Sequence, residues 1–419
     1  MKRFLCHRRL ALVLFLVSVP MAWASNTWYV NGADGSDKNS CKSRHHACKT
    51  IGHAVSLASW GDSILIAAAT YPENLIIGVS LSIVGSGLHI TTIDGGGANT
   101  VLTIPNSDTP VTLSNVTVIN GHSVDGGGIY NLGTLTVWNS IISGNSLGSC
   151  ILTYCHGAGI YNSGTLRIND STVSGNVIDI QGTGAALGAG VYSKGDLTIQ
   201  KSTFSGNRAS VVGESARAEG GALSNEEGKL TINNSTFSGN VASGTLPLGW
   251  SGGGAIYDSN GRLTISSSTL SGNSAYYGGG IYINGVTTLQ NTIVASSPAG
   301  GNCSGTVFSN GYNLSSDDTC NFSNSGDLNN TDPMLDPLHN NGGYTQTMAL
   351  LPGSPAIDAG NPAGCTGGHG HLLKTDQRGK PRPDHEDTTW ERMNVKRTSL
   401  ETSLGTADVN TLHVLTAGQ

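Results

Sequence analysis

The hexapeptide Gly-Gly-Gly-Ile-Tyr-Asn at residues 126–131 returns as Gly-Ala-Gly-Ile-Tyr-Asn at 157–162 and as Gly-Ala-Gly-Val-Tyr-Ser at 188–193. Weaker copies start at Gly220, Gly253 and Gly278, so the intervals are 31, 31, 32, 33 and 25 residues. A second block follows each of the first five copies, from Thr134-Leu135-Thr136-Val137 to Arg262-Leu263-Thr264-Ile265. A third block ends in Ser-Gly-Asn at 143–145, 174–176, 205–207, 238–240 and 271–273. Each unit therefore holds three short β-type runs between Gly, Asn and Ser turns. A unit this small cannot bury its own inner face. Stacked units can, with equivalent strands paired in parallel about 4.8 Å apart. The repeat thus predicts an all-β chain wound as a right-handed parallel β-helix, a single-stranded solenoid. A propeller is the rival, but its blades need roughly 40–50 residues and four antiparallel strands.

Stacking sorts residues into columns. Leu135, Leu166, Leu197, Leu230 and Leu263 form one inward ladder, and Val137, Ile168, Ile199, Ile232 and Ile265 a second. Ile129, Ile160, Val191, Leu223, Ile256 and Ile281 form a third. The tyrosines alternating with it (Tyr130, Tyr161, Tyr192, Tyr257 and Tyr282) are expected to point outward. Asn145, Asn176, Asn207, Asn240 and Asn273 are expected at turns, in left-handed geometry and with amides bonded from rung to rung. Between each Ser-Gly-Asn and the next Gly block lie 11, 11, 12, 12 and 4 residues. The longer intervals read as loop insertions at one corner, stacked into a ridge of the kind that often forms a binding face. Their candidate contact residues are Tyr154, Arg208, Glu214, Arg217, Glu219 and Trp250. Tyr276 and Tyr277, from the shortest interval, join them.

Composition removes other classes. Glycine supplies 59 of 419 residues, too many for a helical protein. The formal net charge of −6 offers no basic excess for nucleic acid. At 37 % hydrophobic residues the chain can still bury a core. Residues 1–24 read as a signal peptide: Lys2, Arg3, Arg8 and Arg9, an apolar run over 10–19, then Ala22-Trp23-Ala24 before Ser25. No later stretch is apolar enough to span a bilayer. Export permits disulfides. Three close pairs suggest themselves, Cys41–Cys48, Cys150–Cys155 and Cys303–Cys320, with Cys365 left over. Closing the short Cys41–Cys48 loop is worth about 2.5 kcal/mol by chain entropy. The rival for Cys41, His45, His46 and Cys48 is a metal site, which lacks a matching second half.

The chain divides into a signal peptide (1–24), an N-terminal cap with the first coils (25–105), repeat coils (106–300), last coils with a C-terminal cap (301–383) and an irregular tail (384–419). Residues 49–58 read as the helical cover of the N-terminal edge, with Ile51, Ala54, Val55 and Ala58 on one face. The first strands are expected over 63–70 and 75–84. The stretch 332–383, rich in Pro, Gly and Asn, reads as an irregular cap lying on the last coils.

The Gly-Gly-Ile-Tyr-Asn and Asn-Ser-Thr-Phe-Ser-Gly-Asn repeats resemble those of bacterial polymorphic-outer-membrane-protein repeat proteins. The N-terminal stretch, Cys48-Lys49-Thr50-Ile51 through Gly61-Asp62 and Tyr71-Pro72-Glu73-Asn74, is similar to the start of pectate-lyase-like (pectin-lyase-like) β-helix proteins. Residues 351–360, Leu-Pro-Gly-Ser-Pro-Ala-Ile-Asp-Ala-Gly, with Thr375-Asp376-Gln377-Arg378-Gly379 and Arg382-Pro383, resemble the choice-of-anchor surface proteins. The resemblance covers about residues 26–383 and implies a secreted or surface-attached β-helix. It departs after Asp384, where neither the usual Cys-Asp-Ile-Gly-Ala-Phe-Glu-type ending nor an anchor follows, so the tail reads as divergent, truncated or frame-shifted.

An enzyme of this architecture needs paired carboxylates, or a calcium-binding acidic cluster with a basic residue, on one outer face. The outward columns Thr134, Thr165, Asp196, Lys229, Arg262 and Asn139, Asp170, Lys201, Asn234, Ser267 each hold one acid beside bases. That pattern suggests rung-to-rung ion pairs, not a catalytic dyad. Asp317-Asp318, Asn330-Thr331-Asp332 and Gly368-His369-Gly370 echo a polygalacturonase signature, in the wrong order and outside the coils. His369, His371 and His385 read as solvated loop residues rather than metal ligands. The reading is therefore a non-catalytic secreted or bacterial cell-surface β-helix, expected as a monomer, presenting stacked loops for adhesion or for binding polysaccharide or a host or cell-surface glycan. It needs no cofactor or metal. The alternatives are a polysaccharide lyase or glycoside hydrolase acting on acidic polysaccharide, where calcium enters for the lyase, and a purely structural surface module.

Overall fold

The computed structural model describes residues 25–148, 154–213, 216–244, 249–368 and 370–382. Among these the strands form four sheets of 18, 10, 5 and 4 strands, every named pairing parallel. The chain is a right-handed parallel β-helix. One coil shows its logic. Ile129–Asn131 and Thr134–Trp138 lie in the largest sheet, and Ile141–Ser143 in the ten-stranded one. The expected columns pair in register: Leu135 with Leu166, Leu166 with Leu197, Leu230 with Leu263. Ile129, Leu135, Val137 and Ile142 are fully buried in the central core.

The bends differ in one respect from expectation. The left-handed residue beside each turn asparagine is the preceding glycine, Gly144, Gly175, Gly206, Gly239 or Gly272, at φ of +59° to +69°. The asparagines turn inward and are buried. Their amides do form the rung-to-rung ladder. Asn145 Nδ2 donates to Asn176 Oδ1 at 3.0 Å, and Asn176 to Asn207, Asn207 to Asn240 and Asn240 to Asn273, each at 2.9 Å. The other bend carries Asn139, Asp170, Lys201, Asn234 and Ser267, all at positive φ. Among the described residues no ion pair joins Asp196 to Lys229, so the expected pairing along that column is not formed.

The helix Ile51–Leu57 is the N-terminal cover, with Ile51 and Ala54 buried. Thr50 Oγ1 accepts from His53 N, and Glu73 accepts from the Ile51 and Gly52 amides at 2.8 and 2.7 Å. These oxygens satisfy helix donors that have no partner inside the helix. The solenoid begins earlier than expected. Thr27–Val30 pairs with Asp62–Ile66, and 75–84 is two strands, Leu75–Ile76 and Leu81–Gly85. Cys41–Cys48 and Cys303–Cys320 are disulfide-bonded, which removes the thiolates a metal site at Cys41 and Cys48 would need. Cys155 is disulfide-bonded too; Cys150 lies outside the described residues. Cys365 is free and buried. The signal-peptide and tail readings also lie outside the described residues.

The C-terminal stretch is more than an end cap. Ala349, Leu350 and Ala356 pack with Ile293, Ala295 and Leu314 of the last coils. Other parts run back along the flank of the solenoid. Tyr344 meets Trp138 edge-on, Thr203 Oγ1 donates to the Gln346 carbonyl, and Gly368 N donates to Asn233 Oδ1. Gln377 is the tightest fastening. Its Nε2 donates to Thr203 Oγ1 and Thr345 Oγ1 at 3.0 and 2.9 Å, and its Oε1 accepts from Thr236 Oγ1 at 2.8 Å. The polar bend residues of several coils thereby gain partners.

The corner insertions are not loops. They pair as two further parallel sheets. One contains Val177–Gln181, Arg208–Val212 and Val241–Gly244; the other is Tyr154–His156, Ala185–Leu187, Arg217–Glu219 and Trp250–Gly252. They enclose a second small core that includes Ile178, Ile180, Ala209, Val211 and Ala218. Insertions of similar length on successive coils extend the same register, so their backbone groups pair instead of facing water.

Candidate functional site

The four-stranded sheet lies over the tyrosine column of the largest sheet, and the site forms where they meet. The column stacks as expected at both ends. Tyr130 and Tyr161 have centroids 4.8 Å apart, Tyr161 and Tyr192 5.6 Å, and Tyr257 and Tyr282 5.1 Å. The rings do point away from the central core, yet Tyr192 and Tyr257 are buried, because the inserted sheet covers them. Between these two the register places Ser224, so one ring of the stack is missing. In the covering sheet the same coil carries Glu219, where its neighbours have Leu187 and Gly252.

A cleft of about 340 Å³ opens there, lined by Tyr154, His156, Tyr192, Lys194, Arg217, Glu219, Ser224, Glu226 and Tyr257, with Leu187 and Ser259. Glu219 is at its floor, only 4 % exposed. Burial pushes its carboxyl up to about 7, although the Arg217 guanidinium in contact with it pulls the other way. Burial draws the Arg217 guanidinium down, but Glu219 and Tyr257 together more than offset this and raise it. Arg217 also donates from Nη2 to Tyr257 Oη at 3.3 Å and lies 5.6 Å over the Trp250 ring. Trp250 meets Tyr257 and Tyr282 edge-on at 5.5 and 5.1 Å. It folds across Gly252, where a Cβ would come within 2.6 Å of the indole.

On the other side Glu226 accepts from the Tyr192 hydroxyl and lies 3.5 Å from Lys194 Nζ. Burial and the Glu226 carboxylate hold that hydroxyl well above the ordinary phenol range. His156 Nδ1 is 2.7 Å from Asp125 Oδ1, and its ring lies 4.4 Å from that of Tyr192. Tyr154, 58 % exposed, lies nearly parallel to the His156 ring. The site thus joins aromatic faces, three acid–base pairs and two carboxylates that share one cleft.

Of the residues singled out from the sequence, Tyr154, Arg217 and Glu219 line the cleft, and Trp250 and Tyr277 flank it through ring contacts. Tyr276 packs edge-on against Tyr277, away from the cleft lining, and Arg208 bonds Ser210 in the five-stranded sheet. Glu214 lies outside the described residues. The reading missed Tyr192, Lys194, Ser224, Glu226, Tyr257 and the Asp125–His156 pair. A search for paired acids along columns could not find Glu219 and Glu226, which come from two sheets within one coil. The available signal was the break in the tyrosine column at Ser224. The fragment Asp317-Asp318 has a structural use: Asp317 accepts from Thr319 N and Oγ1 and from Asn302 N.

No family model and no curated protein matches this chain. Solved structures similar to it include pectate lyase Pel9A, at 15 % identity over 80 % of this chain and 92 % of that one, TM-score 0.39. XylC in complex with xylose is 9 % identical over 75 % and 88 % of the two chains, TM-score 0.34. The pectin methylesterase from Aspergillus niger is 12 % identical over 73 % and 85 %, TM-score 0.23. The parallel β-helix is read from the strand register itself and does not rest on these likenesses. Among the described residues no helix is long and apolar enough to cross a membrane.

Proposed function

We propose that this chain is a secreted or bacterial cell-surface β-helix protein that contacts carbohydrate, in adhesion or glycan binding, through the cleft between the tyrosine column and the inserted sheet. One observation carries the reading: an exposed tyrosine, Tyr154, shares a cleft with paired charged groups able to hold hydroxyls. Aromatic surface beside a few convergent polar groups is the usual composition of a small-molecule site. The leader-like residues 1–24, the polymorphic-outer-membrane-type repeats and the anchor-like segment 351–383 support export and a surface location. The reading requires neither a metal nor a cofactor, and takes the chain as a monomer.

A second reading is a polysaccharide hydrolase or lyase. It is favoured by Glu219, whose buried carboxyl is pushed up to about 7 and shares the cleft with a second carboxylate, Glu226; a raised carboxyl is what a general acid needs. A purely structural surface module is the third. Incubation of the purified chain with pectin, alginate and glycosaminoglycans, together with a glycan array, separates them. Array binding without product release is expected. Calcium-dependent release of unsaturated sugars would establish the lyase, and silence in both assays the structural module.

A further inference from the structure

We infer that the cleft takes a neutral saccharide and rejects a uronate-bearing one. This rests on the carbohydrate reading and narrows it. Every cationic or imidazole side chain lining the cleft already faces a carboxylate of this chain: Lys194 faces Glu226 at 3.5 Å, His156 faces Asp125 at 2.7 Å, and Arg217 contacts Glu219. Among the described residues no cation lining the cleft is left over for a ligand's carboxylate. A uronate would have to take Arg217 from Glu219, leaving a buried acid without its partner. Alternatively it would have to compete for Lys194 beside Glu226, whose like charge repels it.

Hydroxyl donors meet the opposite situation. Tyr192 and Lys194 both act on Glu226 Oε2. Among the described residues no hydrogen-bond donor or cation is placed on Oε1, and the side chain is 41 % exposed. A carboxylate oxygen with open lone pairs at a cleft mouth accepts from a sugar hydroxyl. The exposed Tyr154 ring, which lines the same cleft, offers a flat apolar face for the C–H face of a pyranose. Open acceptor, flat ring and consumed cations together describe a neutral ring rich in hydroxyls.

The test is calorimetry of the full chain with cellohexaose and xylohexaose as neutral probes and hexagalacturonate as the acidic one, with Trp250 fluorescence as a local readout. A neutral hexaose is expected to bind and hexagalacturonate is not. Glu226→Gln should weaken the neutral ligand by about tenfold, the scale of one charge-assisted hydrogen bond. Tyr154→Ala should weaken it as well; Tyr154 is exposed and glutamine at 226 keeps an oxygen to accept from Tyr192, so these variants keep the fold. Neutral binding indifferent to both variants would overturn the inference. So would hexagalacturonate binding that is lost in Arg217→Ala, which leaves the carbohydrate reading standing. Silence of both ligand classes would overturn that reading too.

Discussion

Replacing Glu219 by glutamine should make the protein more stable, and only above the pH at which the buried acid ionises. Glu219 is 4 % exposed and its carboxyl is raised from 4.5 to about 7. A raised acid binds its proton more tightly in the folded chain than in the unfolded one. Folding stability from this group is therefore highest below about pH 4.5, falls as pH rises towards 7 and stays flat beyond. A rise of this size corresponds to about 3 kcal/mol at 1.36 kcal/mol per pH unit. Glutamine has the shape of the protonated acid and cannot ionise. Glu219→Gln should thus match the parent at pH 4 and exceed it by about 3 kcal/mol at pH 8. With unfolding entropy scaling with chain length, that is a melting-temperature gain of roughly 4 °C. Guanidinium and thermal unfolding of both proteins from pH 4 to pH 8 measure the difference directly, since every other titrating group cancels. A pH-independent difference would refute the reasoning. A glutamine variant less stable at pH 8 would show that the Arg217 contact outweighs burial.

Four further outcomes are expected. Asn207→Ala removes an amide whose Oδ1 accepts from Asn176 and whose Nδ2 donates to Asn240 Oδ1 and the Val173 carbonyl; several buried groups lose partners, and urea unfolding should register a loss of at least about 3 kcal/mol. Cys41→Ser with Cys48→Ser reopens a short loop and should cost about 2.5 kcal/mol in the same assay, against no change if the unfolded chain is unaffected by the bridge. Gln377→Ala unfastens the C-terminal stretch from Ser202, Thr203 and Thr236, so limited proteolysis should cut within 333–382 faster while the coils keep their far-ultraviolet dichroism. Ser224→Tyr restores the missing ring but meets Glu219, and should cost about 1–3 kcal/mol; the loss should shrink in the Glu219→Ala background, as a double-mutant cycle would show.

The fold could be read from residues because parallel stacking allows only one inside and one outside per column. A column such as Ile129, Ile160, Val191, Leu223 and Ile256 repeats its chemistry whenever the chain comes round, and the strands pair those residues in that order. Comparison of like positions also exposes the ladder of Asn145 to Asn273, although it does not tell that the glycine before each asparagine carries the left-handed turn. The cleft obeys a different rule. Glu219 and Glu226 occupy unlike positions of one coil, in two different sheets, and line one cleft, so no column contains both. Their burial depends on insertions that pair as strands; Val177–Gln181 does alternate, but the covering strands Tyr154–His156, Ala185–Leu187, Arg217–Glu219 and Trp250–Gly252 are three residues each, too short to announce that pairing.

What the sequence did hold was a pair of exceptions in a single coil. Where the tyrosine column has Tyr192 and Tyr257 it places Ser224, and where the covering column has Leu187 and Gly252 it places Glu219. Either exception alone is unremarkable drift in a repeat. Both positions line the same cleft, and a serine in place of a tyrosine ring leaves space beside the Glu219 carboxyl. A solenoid tolerates such a coil because each rung is supported by its two neighbours. In a repeat array, then, paired departures from two facing columns at the same rung point to a site, and an acid standing in an otherwise apolar column is the sharper half of the pair.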